Sequence, residues 1–123
     1  MTRITGLHHV SVLVRDTERA LAFYHGVFGL PVVERPALAF PGAWLDIGQG
    51  QQIHLLELAG AGAADRSKHG GRDAHVALYV DDLDAVVVLL DSAAIPFTLS
   101  RSGRRALFCR DPDGNAIELI AVS

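Results

Sequence analysis

From His9 to Arg15 apolar and polar positions alternate, with Val10, Val12 and Val14 on one face and His9, Ser11 and Leu13 on the other. That period of two predicts a strand with unlike faces. Asp16 and Thr17 are good helix N-caps, and Leu21, Tyr24 and Phe28 follow at helical spacing until Gly29, which predicts an amphipathic helix of about three turns. Strands are then predicted over Val32 to Phe40, Trp44 to Gly48 and Gln52 to Leu58, punctuated by Pro41-Gly42 and by Gly50. The first half reads β-α-β-β-β.

The stretch GAGAADRSKHGGR has no apolar periodicity and reads as an exposed linker over about 60–72. The second half repeats the first. HVALYV from His75 to Val80 matches HVSVLV from His9 to Val14, and Asp81-Asp82 stand where Asp16 stands. Leu83, Val86, Val87 and Leu90 make the inner stripe of a second helix. Strands follow over Ile95 to Ser100 and Arg104 to Arg110, Asp111-Pro112-Asp113-Gly114 is a strong turn signal, and Asn115 to Val122 mirrors Gln51 to Leu58. The expectation is an α+β fold: one domain over 1–123, built from a module at about 6–59 and a second at about 73–123.

Composition narrows the partners. At 123 residues, 50% hydrophobic, the chain can build one core but not two. A formal charge of −3 offers no positive field for nucleic acid or an anionic membrane, so neither is expected as a partner. The N-terminal MTRITGLHHV has no apolar run of the signal-peptide or spanning kind, and the single cysteine, Cys109, cannot form an internal disulfide; a cytoplasmic protein is expected. Cys109 lies in the strand-like run ALFCR and reads as a buried, inert thiol.

The chemistry lies in what the repeat carries. Each half opens with a strand beginning in His and closes with a strand bearing a ligand-type residue: His9 with His54, and His75 with Glu118. In QIHLL and AIELI the polar residue alternates with apolar neighbours and projects to the face opposite them. One strand histidine alone reads as a hydrogen-bonded structural group, and Glu118 alone as a solvent-facing residue. Four donors at repeat-related positions call for one explanation, and three imidazoles with a carboxylate suit zinc, nickel, manganese, cobalt or iron. If the first and last strands of each unit are neighbours, all four converge on one concave surface. His8 reads as a rim residue on the opposite face, His25 as an exposed helix residue and His69 as part of the linker.

The segments LHHVSVLVRD, ALAFYHGVFGL, GAWLDIGQGQQIHLLEL, DAHVALYVDDLDAV and FCRDPDGNAIELI together resemble the vicinal oxygen chelate superfamily, which includes glyoxalases, bleomycin-resistance proteins and extradiol dioxygenases. The resemblance covers nearly the whole chain. It implies that two β-α-β-β-β modules form an incomplete mixed barrel, that His9, His54, His75 and Glu118 are the metal ligands, and that a homodimer shares each site between subunits. Glyoxalase I enzymes often carry Glu at the second ligand position, where this chain has His54.

The activity this implies is that of a metal-dependent, glyoxalase-type lyase or isomerase, acting on a small substrate with vicinal oxygens through an enediolate or related oxyanion. Glu118, loosened from the ion, is the candidate general base, with a metal-bound water as the alternative. Trp44 and Phe108, at matching positions in the two halves, are candidate pocket walls against a plainer reading as core aromatics. Arg105, with Arg101 and Arg104 beside it, is a candidate anchor for an anion, against the plainer reading of a solvated cluster. Two rival classes are a ring-cleaving dioxygenase, which a fourth protein ligand disfavours, and a non-catalytic antibiotic-binding protein, whose kind usually lacks the ligand set.

Overall fold

The computed structural model describes residues 2–62 and 66–122. In chain order the elements are β1 (His9–Val14), α1 (Thr17–Leu21) running into a π-helical turn (Ala22–Val27), β2 (Val32–Val33), β3 (Gly42–Gly48), β4 (Gln51–Glu57), β5 (His75–Val80), α2 (Leu83–Ser92), β6 (Phe97–Leu99), β7 (Ala106–Arg110) and β8 (Ala116–Ala121). They form two four-stranded sheets of identical topology, ordered β1-β4-β3-β2 and β5-β8-β7-β6. In each sheet the first and last strands run parallel and the remaining neighbours antiparallel. This is the α+β architecture expected, with mixed sheets that do not close into a barrel.

The two-faced reading of β1 holds: Val12 and Val14 are buried, whereas His9, Ser11 and Leu13 are exposed. Asp16 caps α1 by accepting from Glu18 N and Arg19 N, and Asp82 caps α2 through Ala85 N. The helix after Asp16 is not regular, because its second half widens into π turns. Consecutive residues of an α-helix diverge by about 100°; here Phe23 and Tyr24 are both buried.

Two strands are shorter than their apolar runs suggested. β2 stops at Val33 because Pro36 lacks a ladder donor and Arg35 Nη2 donates to Phe40 O at 2.7 Å, folding that segment on itself. β6 begins only after Pro96, for the same lack of a donor.

One core runs through both units, from Val12, Leu45 and Leu55 to Leu90, Leu107 and Leu119. The turn after β7 clasps the units together. Asp111 Oδ1 accepts from Asp113 N and Asn115 N, each at 2.9 Å, and its Oδ2 accepts from Tyr24 Oη at 2.7 Å. Asp113, fully buried, pairs with Arg15 at 3.3 Å and Arg19 at 3.2 Å. Asn115 Nδ2 donates to Leu13 O at 3.0 Å.

Of the stretch expected to be a linker, residues 63–65 lie outside those described. The rest is fastened to the second unit: Asp73 takes ion pairs from Arg66 at 2.8 Å and Arg110 at 2.9 Å, and Arg110 Nε donates to Ser67 O. Gly70 packs so closely on the sheet that a Cβ there would lie 2.7 Å from the Ala116 methyl. A strap bound this way is not the free tether that its composition suggested.

Candidate metal centre

The repeat is reproduced in the register. His54 lies between Ser11 of β1 and Trp44 of β3, and Glu118 lies between Ala77 of β5 and Phe108 of β7. His54 and Glu118 therefore hold the same place in their sheets, each flanked by an aromatic residue on the antiparallel neighbour. Trp44 stacks on His54 with centroids 4.1 Å apart and planes 3° from parallel, and His9 stacks on His54 at 4.0 Å. Between these rings His54 is only 7% exposed. Its Nε2 stands 2.8 Å from Gln52 Oε1. Burial lowers its pKa, and the neighbouring His9, His8 and Arg35 add to that, favouring the neutral, ligand-competent imidazole.

His8 is part of this group. Its Nδ1 lies 2.8 Å from Nδ1 of His9, and its ring centre is 6.5 Å from that of His54. The alternation of β1 does not reach it, since the strand begins at His9.

The second pair is tighter. His75 Nδ1 lies 2.8 Å from Asp73 O; a carbonyl oxygen only accepts, so Nδ1 carries a proton and directs Nε2 into the site. Nε2 stands 3.3 Å from Glu118 Oε1. Glu118 is 1% exposed, and its Oε2 is buried with no hydrogen-bond partner among the described residues. The Arg104 guanidinium stands 3.4 Å from Oε2 without the alignment of a hydrogen bond. A buried carboxylate with one oxygen unpartnered among the described residues, facing a more exposed imidazole nitrogen, is costly unless a cation compensates it. The donor set therefore fits a divalent metal.

The two pairs do not meet. No group of three or more His, Cys, Asp or Glu among the described residues is placed to hold a metal ion. The convergence of four donors within one chain, expected from the pattern, is thus absent: β1 and β5 are the outer strands of separate sheets, and each sheet carries one pair. A cavity of about 690 Å³ runs between the units, lined by His9 and Gln52 on one side and His75 and Tyr79 on the other. His54 and Glu118 do not line it, so it is not a common centre.

Phe108 is packed against His75, with ring centroids 5.2 Å apart, and is a wall of the second pair as Trp44 is of the first. Arg105 is placed elsewhere, 3.5 Å from Asp84 on α2. Both arginines precede β7, in the bend of residues 101–105, which turns Arg104 toward Glu118 and Arg105 toward α2. His25 caps the π turn through Leu30 O at 2.8 Å. His69 was not expected near the site, yet its Nδ1 lies 2.7 Å from Thr98 Oγ1 and its ring packs on Phe108 with centroids 4.9 Å apart. No local pattern announces this contact, which depends on the strap folding back.

Comparison with known proteins agrees with this fold. Residues 6–119 match the sequence model of the Glyoxalase/Bleomycin resistance protein/Dioxygenase superfamily. A glyoxylase I from Arabidopsis thaliana is 32% identical over 94% of this chain and 70% of its own. A lactoylglutathione lyase from Haemophilus influenzae is 28% identical over 91% and 89%. Among solved structures, a glyoxalase family protein from Bacillus anthracis superposes with a TM-score of 0.78 at 25% identity, covering 98% of each chain. A fosfomycin resistance protein from Mesorhizobium loti gives 0.74 at 25%, covering 96% and 92%.

Proposed function

The chain belongs to this glyoxalase, bleomycin-resistance and dioxygenase superfamily, and from that premise we propose that it is a metal-dependent lyase or isomerase of the glyoxalase type. Its substrate is a small molecule with two adjacent oxygen atoms. Each site takes His9 and His54 from one subunit of a homodimer and His75 and Glu118 from the other. The observation that carries this reading is His75 Nε2 standing 3.3 Å from the buried, under-satisfied Glu118 carboxylate.

Pairing of two chains is supported by the division of the donors between separate sheets, and by apolar residues left on the outer strands. Leu13 of β1 is 45% exposed and Tyr79 of β5 is 76% exposed. Such surface on an unpaired sheet edge favours association.

The metal, when bound, supplies Lewis acidity toward an oxyanion developing on the substrate. The chain's own residues do the rest. Asp73 O fixes the tautomer and orientation of His75. Trp44 and Phe108 wall the donors and limit water, and Glu118 is the group that takes the proton from the substrate carbon.

Elemental analysis of protein purified without added metal, together with mass measurement in solution, tests the reading. One divalent ion per chain in a dimer is expected for the wild type, from zinc, nickel, manganese, cobalt or iron, with none retained by His75→Ala. Full retention by that variant would refute the assignment. A metal-free protein that takes up none on titration would leave the antibiotic-binding alternative standing.

A further inference from the structure

We infer that Arg104 is the specificity-determining residue of this site, and that it selects a substrate whose carboxylate is joined directly to the chelating oxygens: a 2-oxo or 2-hydroxy acid. The inference rests on the metal-dependent reading above and names its substrate class.

Arg104 lies just before β7, whose Phe108 pairs with Glu118, and its Nη2 stands 3.4 Å from Glu118 Oε2. Among the described residues it is the one Lys or Arg that pairs with Glu118; Arg105 goes to Asp84 and Arg110 to Asp73. It is not consumed by that pairing. Its side chain is 56% exposed, and its closest approach, 3.4 Å, lacks hydrogen-bond alignment. A guanidinium presents five N–H groups in a rigid fork that matches a carboxylate in two parallel bonds. None of those in Arg104 is used within the described residues, so the fork is free for a ligand.

Charge points the same way. Three neutral imidazoles and one carboxylate leave a divalent ion with one net positive charge, and Arg104 adds a second. A neutral substrate that develops one oxyanion leaves one charge uncompensated, whereas an acid that develops an oxyanion compensates both. Distance then limits the substrate. A guanidinium 3.4 Å from a candidate metal-binding oxygen can meet only a carboxylate within a bond or two of the chelating atoms. The carboxylates of a long thiol adduct would lie beyond it.

The test uses full-length protein reconstituted with Mn²⁺, in wild type and Arg104→Met, with two probes: oxalate, which chelates through carboxylates, and acetohydroxamic acid, which chelates as a hydroxamate and has no carboxylate for the fork. Bound manganese is counted first, and each Kd is then measured by calorimetry. Arg104→Met is expected to hold as much manganese as wild type, to bind oxalate at least about tenfold more weakly and to bind acetohydroxamic acid within about twofold of wild type, the range a lost charge-assisted hydrogen bond produces. Arg104→Lys should keep part of the oxalate affinity, since it restores charge without the fork. Unchanged oxalate binding, or equal weakening of both probes, would overturn the inference while leaving the metal reading intact. Failure of the wild type to bind manganese, or any of the metals above, would overturn both.

Discussion

The Tyr24 phenol donates to the Asp111 carboxylate at 2.7 Å across 87 residues of sequence, joining the π turn of the first unit to the turn after β7 in the second. Both residues are buried, Tyr24 to 2% and Asp111 to 4% exposure. Burial first, and then the Asp111 charge, push the phenol pKa far upward, so it stays a donor at any pH the fold survives. Tyr24→Phe removes the donor and leaves Asp111 Oδ2 with only the Asn115 side chain. The expected loss is about 1–2 kcal/mol in urea unfolding. A change under a few tenths would show that the clasp contributes nothing.

Glu118→Gln separates function from stability. In metal-free protein the carboxylate is buried, its Oε2 has no hydrogen-bond partner among the described residues, and its Oε1 stands 3.3 Å from His75 Nε2. An amide of the same shape removes the charge and can donate to that nitrogen. The variant should gain about 1 kcal/mol in EDTA-treated protein, measured by urea unfolding, and should lose metal retention.

His54 makes stability depend on pH in a definite sense. Its folded-state pKa lies below the ordinary imidazole value of 6.5 because burial, and then His9, His8 and Arg35, disfavour the charged form. The unfolded chain therefore binds this proton more readily, and the contribution is complete above that value and lost as pH falls through it. Urea midpoints of metal-free protein should drop between about pH 7.5 and about pH 5.5, and drop less in His54→Gln. An equal drop in both would assign the effect to other groups.

Cys109 is buried in β7, and burial pushes its thiol pKa up to about 12, with the Asp111 charge contributing. Thiolate is the reactive form. A disulfide reagent should leave native protein unlabelled at neutral pH and label it fully in denaturant. Rapid labelling of native protein would contradict the burial of that strand.

Local pattern revealed the parts of this molecule that repeat locally. Alternation in β1 and β5, the Asp caps, and the equivalence of His54 with Glu118 and of Trp44 with Phe108 all follow from periods of two and 3.6 and from turn chemistry. What stayed hidden depends on contacts distant in sequence. The strap that carries His69 onto Phe108 is held by Arg110, some 40 positions away, and its Gly-rich composition reads as slack. Arg105 stood out within a basic cluster, yet the bend at the strand boundary decides which of two adjacent arginines faces the donors, and boundaries are poorly encoded. Asp111 and Asp113 read as turn formers, and nothing near them in sequence announces that they bind Tyr24, Arg15 and Arg19.

Keeping the donors in two non-adjoining couples has a genetic corollary under the shared-site reading. A copy spoiled at His75 still offers sound His9 and His54, and one spoiled at His54 still offers sound His75 and Glu118. Mixed assembly of two individually dead alleles would then regenerate one working centre per heterodimer, so coexpression could rescue what neither gene achieves alone.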